Sequence, residues 1–338
     1  MSELKASEEE KEVLEKYLLQ FLNLEKRFPL LPGIENEEAM AGLMGLEVDE
    51  LKKLRDRFAS NAKQAAIELL EDPEVAEWIE QLPFEEGDTI VALGDSITDD
   101  LQGWFHILEH VLEIGLEDPG FTFINSGVSY DTSTDALKRL NRDVLDHEPD
   151  WVIVALGTFD AQRLHVAPDR TLVSLADFWE NLNTIEANVS DITDNPLIWL
   201  TPPPVITEML QQLRLFHFDI FEEDLSSMRE ILTGKKGYIV DPLGERMHDD
   251  EDEQHYQQPQ PQQQNEKEGE DSEQQEGAEE QSGPAPWNYL SDGLHPSLSG
   301  HSNTVKELIR FLALAKEPEE GASFETPDDY NPEGEADQ

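Results

Sequence analysis

The chain has 338 residues, enough for one sizeable α/β domain with additions, and no cysteine, which excludes disulfides and thiolate chemistry. Its formal net charge of −51 repels nucleic acid and anionic membrane surfaces. Segments 245–286 (14 acidic, 2 basic) and 317–338 (9 acidic, none basic) carry less than half of that excess. The rest is therefore acidic too, which suits a salt-screened interior and favours a salt-accumulating halophile over an ordinary cytosolic protein with acidic tails.

The start, MSELKASEEE, has no apolar signal core, and no run approaches the ~18 apolar residues of a membrane span. A soluble, cytoplasmic protein is expected. Leu14, Leu18, Phe21 and Leu22 form an apolar stripe behind Ser7, which predicts a helix over 7–28. Phe28-Pro29-Leu30-Leu31-Pro32-Gly33 breaks it. Further helices are expected at 37–44, 49–70 and 73–81, so residues 1–84 read as a helical N-terminal addition. Residues 39–58 faintly match a helix-turn-helix, but ordinary packing explains them and the acidity opposes DNA.

From residue 88 the pattern alternates. Strands are predicted at 88–93, 121–125, 151–156, 197–200 and 237–240. Helices are predicted at 101–115, 132–147, 172–189, 207–232 and 298–315. Such alternation predicts a parallel sheet with helices on both faces and all strand carboxyl ends on one rim. The expected fold is a flavodoxin-like three-layer α/β/α domain over 85–316. Gln, Glu, Pro and Gly dominate 245–286, which predicts a disordered insertion before the last helix; the acidic tail 317–338 reads alike.

The chemistry gathers at strand ends. The apolar run Thr89 to Leu93 stops at Gly94-Asp95-Ser96, placing a serine where open α/β sheets hold ligands. Asn125-Ser126-Gly127 follows the second strand and Gly157-Thr158-Phe159-Asp160 the third. Asp292-Gly293-Leu294-His295-Pro296 precedes the last helix. Asp and His three residues apart let a carboxylate orient an imidazole that accepts the serine proton. Ser126-Gly127 offers a backbone N–H to an oxyanion. His106 to His110 matches H-x-x-E-H, but no third ligand accompanies it, so it reads as an accidental helical pattern.

GDSIT, NSG, GTFD and DGLHP, in this order, resemble the SGNH hydrolases, the GDSL-type esterases and lipases. TPPPV (201–205) is similar to members acting on small esters. The resemblance covers roughly residues 86–315 without the insertion. It implies that Ser96 is the nucleophile and one oxyanion donor, Gly127 a second donor, His295 the general base and Asp292 its partner. Asp95 would brace the turn. The implied reaction is acyl transfer to water through an acyl-serine, with a small-molecule ester as partner and no metal or cofactor.

One position departs from the family pattern. Phe159 stands where the family places an Asn that donates to the oxyanion, and losing such a donor costs about 10²–10³ in rate. A neighbour such as Thr158 or Gln162 substitutes, the enzyme runs on two donors, or the site binds without reacting. Thr158 and Phe159 are also expected to line the substrate pocket. Hydrolysis of short-chain esters leads; a non-catalytic binding protein and an acyltransferase remain open.

Overall fold

The computed structural model describes residues 19–315 apart from 22, 35, 118, 213–215 and 243–287. The expected insertion at 245–286, the tail at 317–338 and the first part of the expected 7–28 helix lie outside the described residues. The central sheet is parallel: β1 (Thr89–Gly94), β2 (Thr122–Gly127), β3 (Trp151–Ala155), β4 (Ile198–Leu200) and β5 (Tyr238–Val240). Their order is β2-β1-β3-β4-β5. This is the flavodoxin-like order, with its reversal between β1 and β3, where such sheets open a crevice. Gly94 pairs in register with Gly127 on one side and Ala155 on the other, so three strands end at one level.

Among the described residues, four α-helices precede the sheet: α1 (Leu24–Arg27), α2 (Glu37–Leu43), α3 (Val48–Leu70) and α4 (Pro73–Ile79). Also among the described residues, seven α-helices follow β1: α5 (Ser96–Asp99), α6 (Trp104–Gly115), α7 (Ser133–Asp143), α8 (Leu175–Ser190), α9 (Thr207–Gln212), α10 (Glu222–Thr233) and α11 (Leu298–Leu314). Val91, Leu93, Val152, Val154 and Trp199 face a core built with α7, α8 and α10. Ile90, Ala92, Ile153 and Ile198 face the opposite core, built with α3, α4, α6 and α11. Burial on both faces explains why the strands read as continuous apolar runs.

The N-terminal helices are part of this fold. Ala62, Ala65 and Ala66 of α3, with Val75 and Ile79 of α4, pack in the second core. The first half of α3 supplies Leu51 and Phe58 to a third cluster with Leu19, Ile34 and Met40. A reciprocal Glu47–Glu50 capping box starts α3, and Asp72 with Pro73 starts α4.

Two expectations are corrected. Within the described part of 7–28, the α-helix is confined to Leu24–Arg27. Asn23 is extended (φ −93°, ψ 91°), which turns its amide onto Asp99. The expected 207–232 helix is two helices, α9 and α10. Between them Phe218–Asp219 pairs antiparallel with Arg163–Leu164. Phe218 and Ile220 are buried with Asp219 between them, a period of two that no helix accommodates.

Candidate active site

Ser96 is positioned by a close turn at the carboxyl end of β1. A Cβ on Gly94 would lie 2.1 Å from Thr98 Oγ1, so only glycine lets α5 fold back on the strand. The buried Asp95 carboxylate accepts from Ile97 N–H at 2.9 Å and caps α5. Burial pushes this carboxyl up to about 7, against the pull of that N–H. It braces the turn, and Ser96 is the first helical residue.

The imidazole comes from the far end of the chain. Ser96 Oγ is 2.8 Å from His295 Nε2, and His295 Nδ1 is 2.8 Å from Asp292 Oδ2. The other carboxylate oxygen, Oδ1, accepts from the N–H groups of Leu294 (2.9 Å) and His295 (3.0 Å). Nδ1 faces a carboxylate and donates to it, so the neutral ring presents its Nε2 lone pair to the serine hydroxyl. Burial pushes the Asp292 carboxyl up, but the attraction of His295 and the three hydrogen bonds outweigh it and hold the group below its ordinary range.

The loop that carries this pair is tied down from both sides. Leu290 N–H donates to His295 O, and Ser297 N–H to Asn288 O, each at 2.8 Å. Tyr289 Oη donates to Pro204 O at 2.6 Å, and Ile206 N–H to Gly293 O at 2.8 Å. The TPPPV segment therefore holds the His295 loop. Gly293 has φ +67°, and a Cβ there would stand 2.6 Å from Ile206 O, so the glycine is sterically required.

The β2 exit differs from the expected oxyanion arrangement. A Cβ on Gly127 would lie 2.5 Å from Asp99 N, so this glycine permits α5 to touch β2. Its N–H, however, donates to Asn125 Oδ1 at 2.9 Å and is not free for an oxyanion. Three residues on, Tyr130 has φ +64°, a conformation that favours glycine and is strained for a bulky side chain. The N–H groups of Tyr130 and Ser96 donate to no backbone carbonyl among the described residues. The Tyr130 phenol is pushed up to about 12 by burial and then by the Asp292 charge, which places it in the field of the site. Buried Arg139 holds the strand ends together, donating to Gly94 O (3.0 Å), Ser126 O (2.7 Å) and Asp131 (2.7 Å).

At the β3 exit, Thr158 lines a small cavity of about 20 Å³ with Asp95, Trp104 and Pro202. Phe159 is fully buried and packs edge-on to Tyr130 at 5.3 Å and to Phe218 at 6.2 Å. Its ring is thus a core element of the first sheet face and lines neither of the two described cavities. Gln162 Nε2 donates to Phe159 O at 2.8 Å, so its amide is already engaged. Asp160 accepts from Ser133 N–H and hydroxyl at the start of α7, and burial pushes it up to about 6. His106 pairs with Glu109 and His110 with Glu113; no group of three or more metal-ligating side chains occurs among the described residues. No helix among them is long and apolar enough to cross a membrane.

Besides Tyr130, sequence reasoning missed a residue that touches the imidazole. The Phe21 ring stacks on His295 with centroids 4.0 Å apart and planes inclined by 24°. Asn23 and Lys26 donate to Asp99 at 2.6 and 2.7 Å, and Arg27 to Asp131 at 2.7 Å. Residue 21 carries no local signal for this, since in the sequence it is one apolar position in a helical stripe.

The parallel β2-β1-β3-β4-β5 sheet with helices on both faces is a three-layer α/β/α fold of the SGNH type, and its carboxyl rim brings Ser96, His295 and Asp292 together. The model of the GDSL-like lipase/acylhydrolase family matches residues 92–302, more than half of the chain, and the chain belongs to that family. Among solved structures it is similar to a lipase/acylhydrolase from Enterococcus faecalis (23% identity, 67% of this chain and 95% of that one, TM-score 0.44). It is also similar to an acetyl xylan esterase from Geobacillus stearothermophilus (18% identity, 68% and 96%, TM-score 0.45). No curated protein matches the sequence.

Proposed function

We propose that this protein hydrolyses small or short-chain carboxylic esters through an acyl-Ser96 intermediate. The observation that carries the reading is the Ser96–His295–Asp292 alignment, with both contacts at 2.8 Å. His295 Nε2 takes the Ser96 proton as Oγ bonds to the ester carbonyl carbon. The resulting Nε2–H is then given to the departing alkoxide as its C–O bond breaks. In the second half water gives a proton to His295 and bonds to the acyl carbon, and Ser96 leaves with that proton. Asp292 keeps the ring in the accepting tautomer and stays ionised.

The oxyanion donors in this reading are the Ser96 and Tyr130 N–H groups, which donate to no backbone carbonyl among the described residues, instead of the engaged Gly127 N–H. Phe159 supplies no side-chain donor, so the enzyme runs on two donors, at a cost of about 10²–10³ in rate against a three-donor site. No step calls for a metal or cofactor. The acyl and alcohol portions are open; acetyl esters of sugars are one class to test. That Phe159 stands in the donor position also favours a second reading, a scaffold that binds without reacting.

The experiment is labelling with a fluorophosphonate serine probe and turnover of short-chain esters, in dilute buffer and in molar KCl, for wild type and Ser96→Ala. Labelling and acid release that both vanish in Ser96→Ala support the hydrolase. A folded wild type that does neither favours the binding reading. Ester transfer to an added alcohol would identify an acyltransferase, and a need for molar KCl to fold would support the halophile origin.

A further inference from the structure

Ser96 is completely buried and His295 is 1% exposed. The nucleophile is therefore aligned but out of reach of any ester. Against this centre lies a strap formed by residues 19–21 and 23–27. Leu19, Gln20, Phe21 and Asn23 are all buried, and Phe21 lies flat on the imidazole. The strap is fixed at several points beyond that ring. Leu101 N–H donates to Gln20 O at 3.0 Å, Gln20 Nε2 to Asp100 at 2.8 Å, and the Ser129 hydroxyl to Phe21 O. Asn23 reaches both the backbone carbonyl and the carboxylate of Asp99. Lys26 bridges Asp99, Asn125 and Gly127 O, and Arg27 reaches Ser129 O and Asp131.

We propose that residues 19–21 and 23–27 are a gate over the catalytic centre. Phe21 is the plug on His295, and Asn23, Lys26 and Arg27 are the latch onto the α5 and β2 exits. The gate must release before an ester reaches Ser96. The proposal rests on the hydrolase reading for its consequence in catalysis, but the strap's opening can be measured without it. The latch grips residues next to the nucleophile and on the loop that bears Tyr130, so closure both excludes substrate and holds those elements in place. Its bonds to Asp99 and Asp131 are charge-assisted, while the plug is apolar. Loss of either part shifts the balance toward the open form.

The test uses the full chain and three proteins: wild type, Phe21→Ala, and Asn23→Ala with the Phe21 ring intact. Two rates are read for each. One is covalent labelling of Ser96 by a fluorophosphonate. The other is hydrogen exchange at the Leu101 amide, which is protected by Gln20 O only in the closed form. Both variants are expected to speed Leu101 exchange and Ser96 labelling together, by about ten- to a hundredfold, as loss of a buried ring or a charge-assisted hydrogen bond implies. Unchanged exchange and labelling in both variants would overturn the gate. Faster exchange with slower labelling would also overturn it and make Phe21 a positioning residue for His295. Faster exchange with no labelling in any protein, wild type included, would leave the gate standing and remove the hydrolase reading.

Discussion

Replacing Asp292 by Asn tests the chemistry at its most constrained atom. The two oxygens of this carboxylate have separate duties. Oδ1 accepts from two backbone N–H groups, and Oδ2 accepts from His295 Nδ1. Asn is isosteric, but only its oxygen accepts hydrogen bonds. The two N–H groups claim that oxygen, so the NH₂ group is forced into the place of Oδ2. It then donates to Nδ1, moves the ring proton to Nε2, and presents Ser96 with a donor where an acceptor is required. The fold is kept, because each backbone bond survives. A wrong-tautomer substitution of this kind lowers kcat by about 10⁴, equivalent to ~5 kcal/mol of activation free energy. Ester turnover per folded molecule and the rate of fluorophosphonate labelling should fall together, with circular dichroism unchanged. A loss of less than tenfold in a folded variant would mean that Asp292 does not set the His295 tautomer, and the argument from the 2.8 Å Nδ1–Oδ2 contact would fail.

Two further outcomes are expected. Phe159→Asn should lower the melting temperature by about 10 °C or more: truncating a buried Phe costs ~3–5 kcal/mol, and an unpaired buried amide adds ~1–3 kcal/mol. It should give no gain in kcat at temperatures where it is folded. A tenfold gain with an unchanged melting temperature would show that the ring is not a core element and that the missing donor limits the rate. Stability should decline as pH rises from about 4 to about 7, because Asp95 and Asp160 have folded values of about 7 and about 6, above the ordinary ~3.9. A raised value contributes stability that is complete below the unfolded value and lost as pH climbs through the folded one. Asp292, held low, acts in the opposite sense and only in acid. Melting temperatures from pH 4 to 8 check this, and Asp95→Asn should flatten the slope; a steeper slope in that variant would contradict it.

The middle of the sheet was legible because β1, β3 and β4 are buried on both sides and read as apolar blocks ending in glycine or a polar turn. β1 before Gly94-Asp95-Ser96 is the clearest case. Asp292 and His295 were legible because three residues on one loop let carboxylate and imidazole meet. The misread parts depend on contacts that leave no period. Asn23 abandons the helix for Asp99, a residue 76 positions away. Phe218 and Ile220 alternate over too few residues to outweigh their helical flanks. Gly127 attracted the oxyanion role because glycine permits close approach, yet what approaches it is α5. Tyr130 was passed over because nothing in a tyrosine's identity announces a positive φ.

The serine and its base are 199 residues apart in the chain. Ser96 acquires its turn and cap from its immediate neighbours, so the nucleophile's local frame needs only β1 and α5. The base arrives on a short terminal piece whose own anchors are the docking of α11 on the sheet and the grip of Pro204 and Ile206 on its loop. A chain cut before residue 288 would keep the Ser96 turn but lack the imidazole that meets it. In the proposed hydrolase, ester turnover would then report that α11 has docked and brought His295 to Ser96.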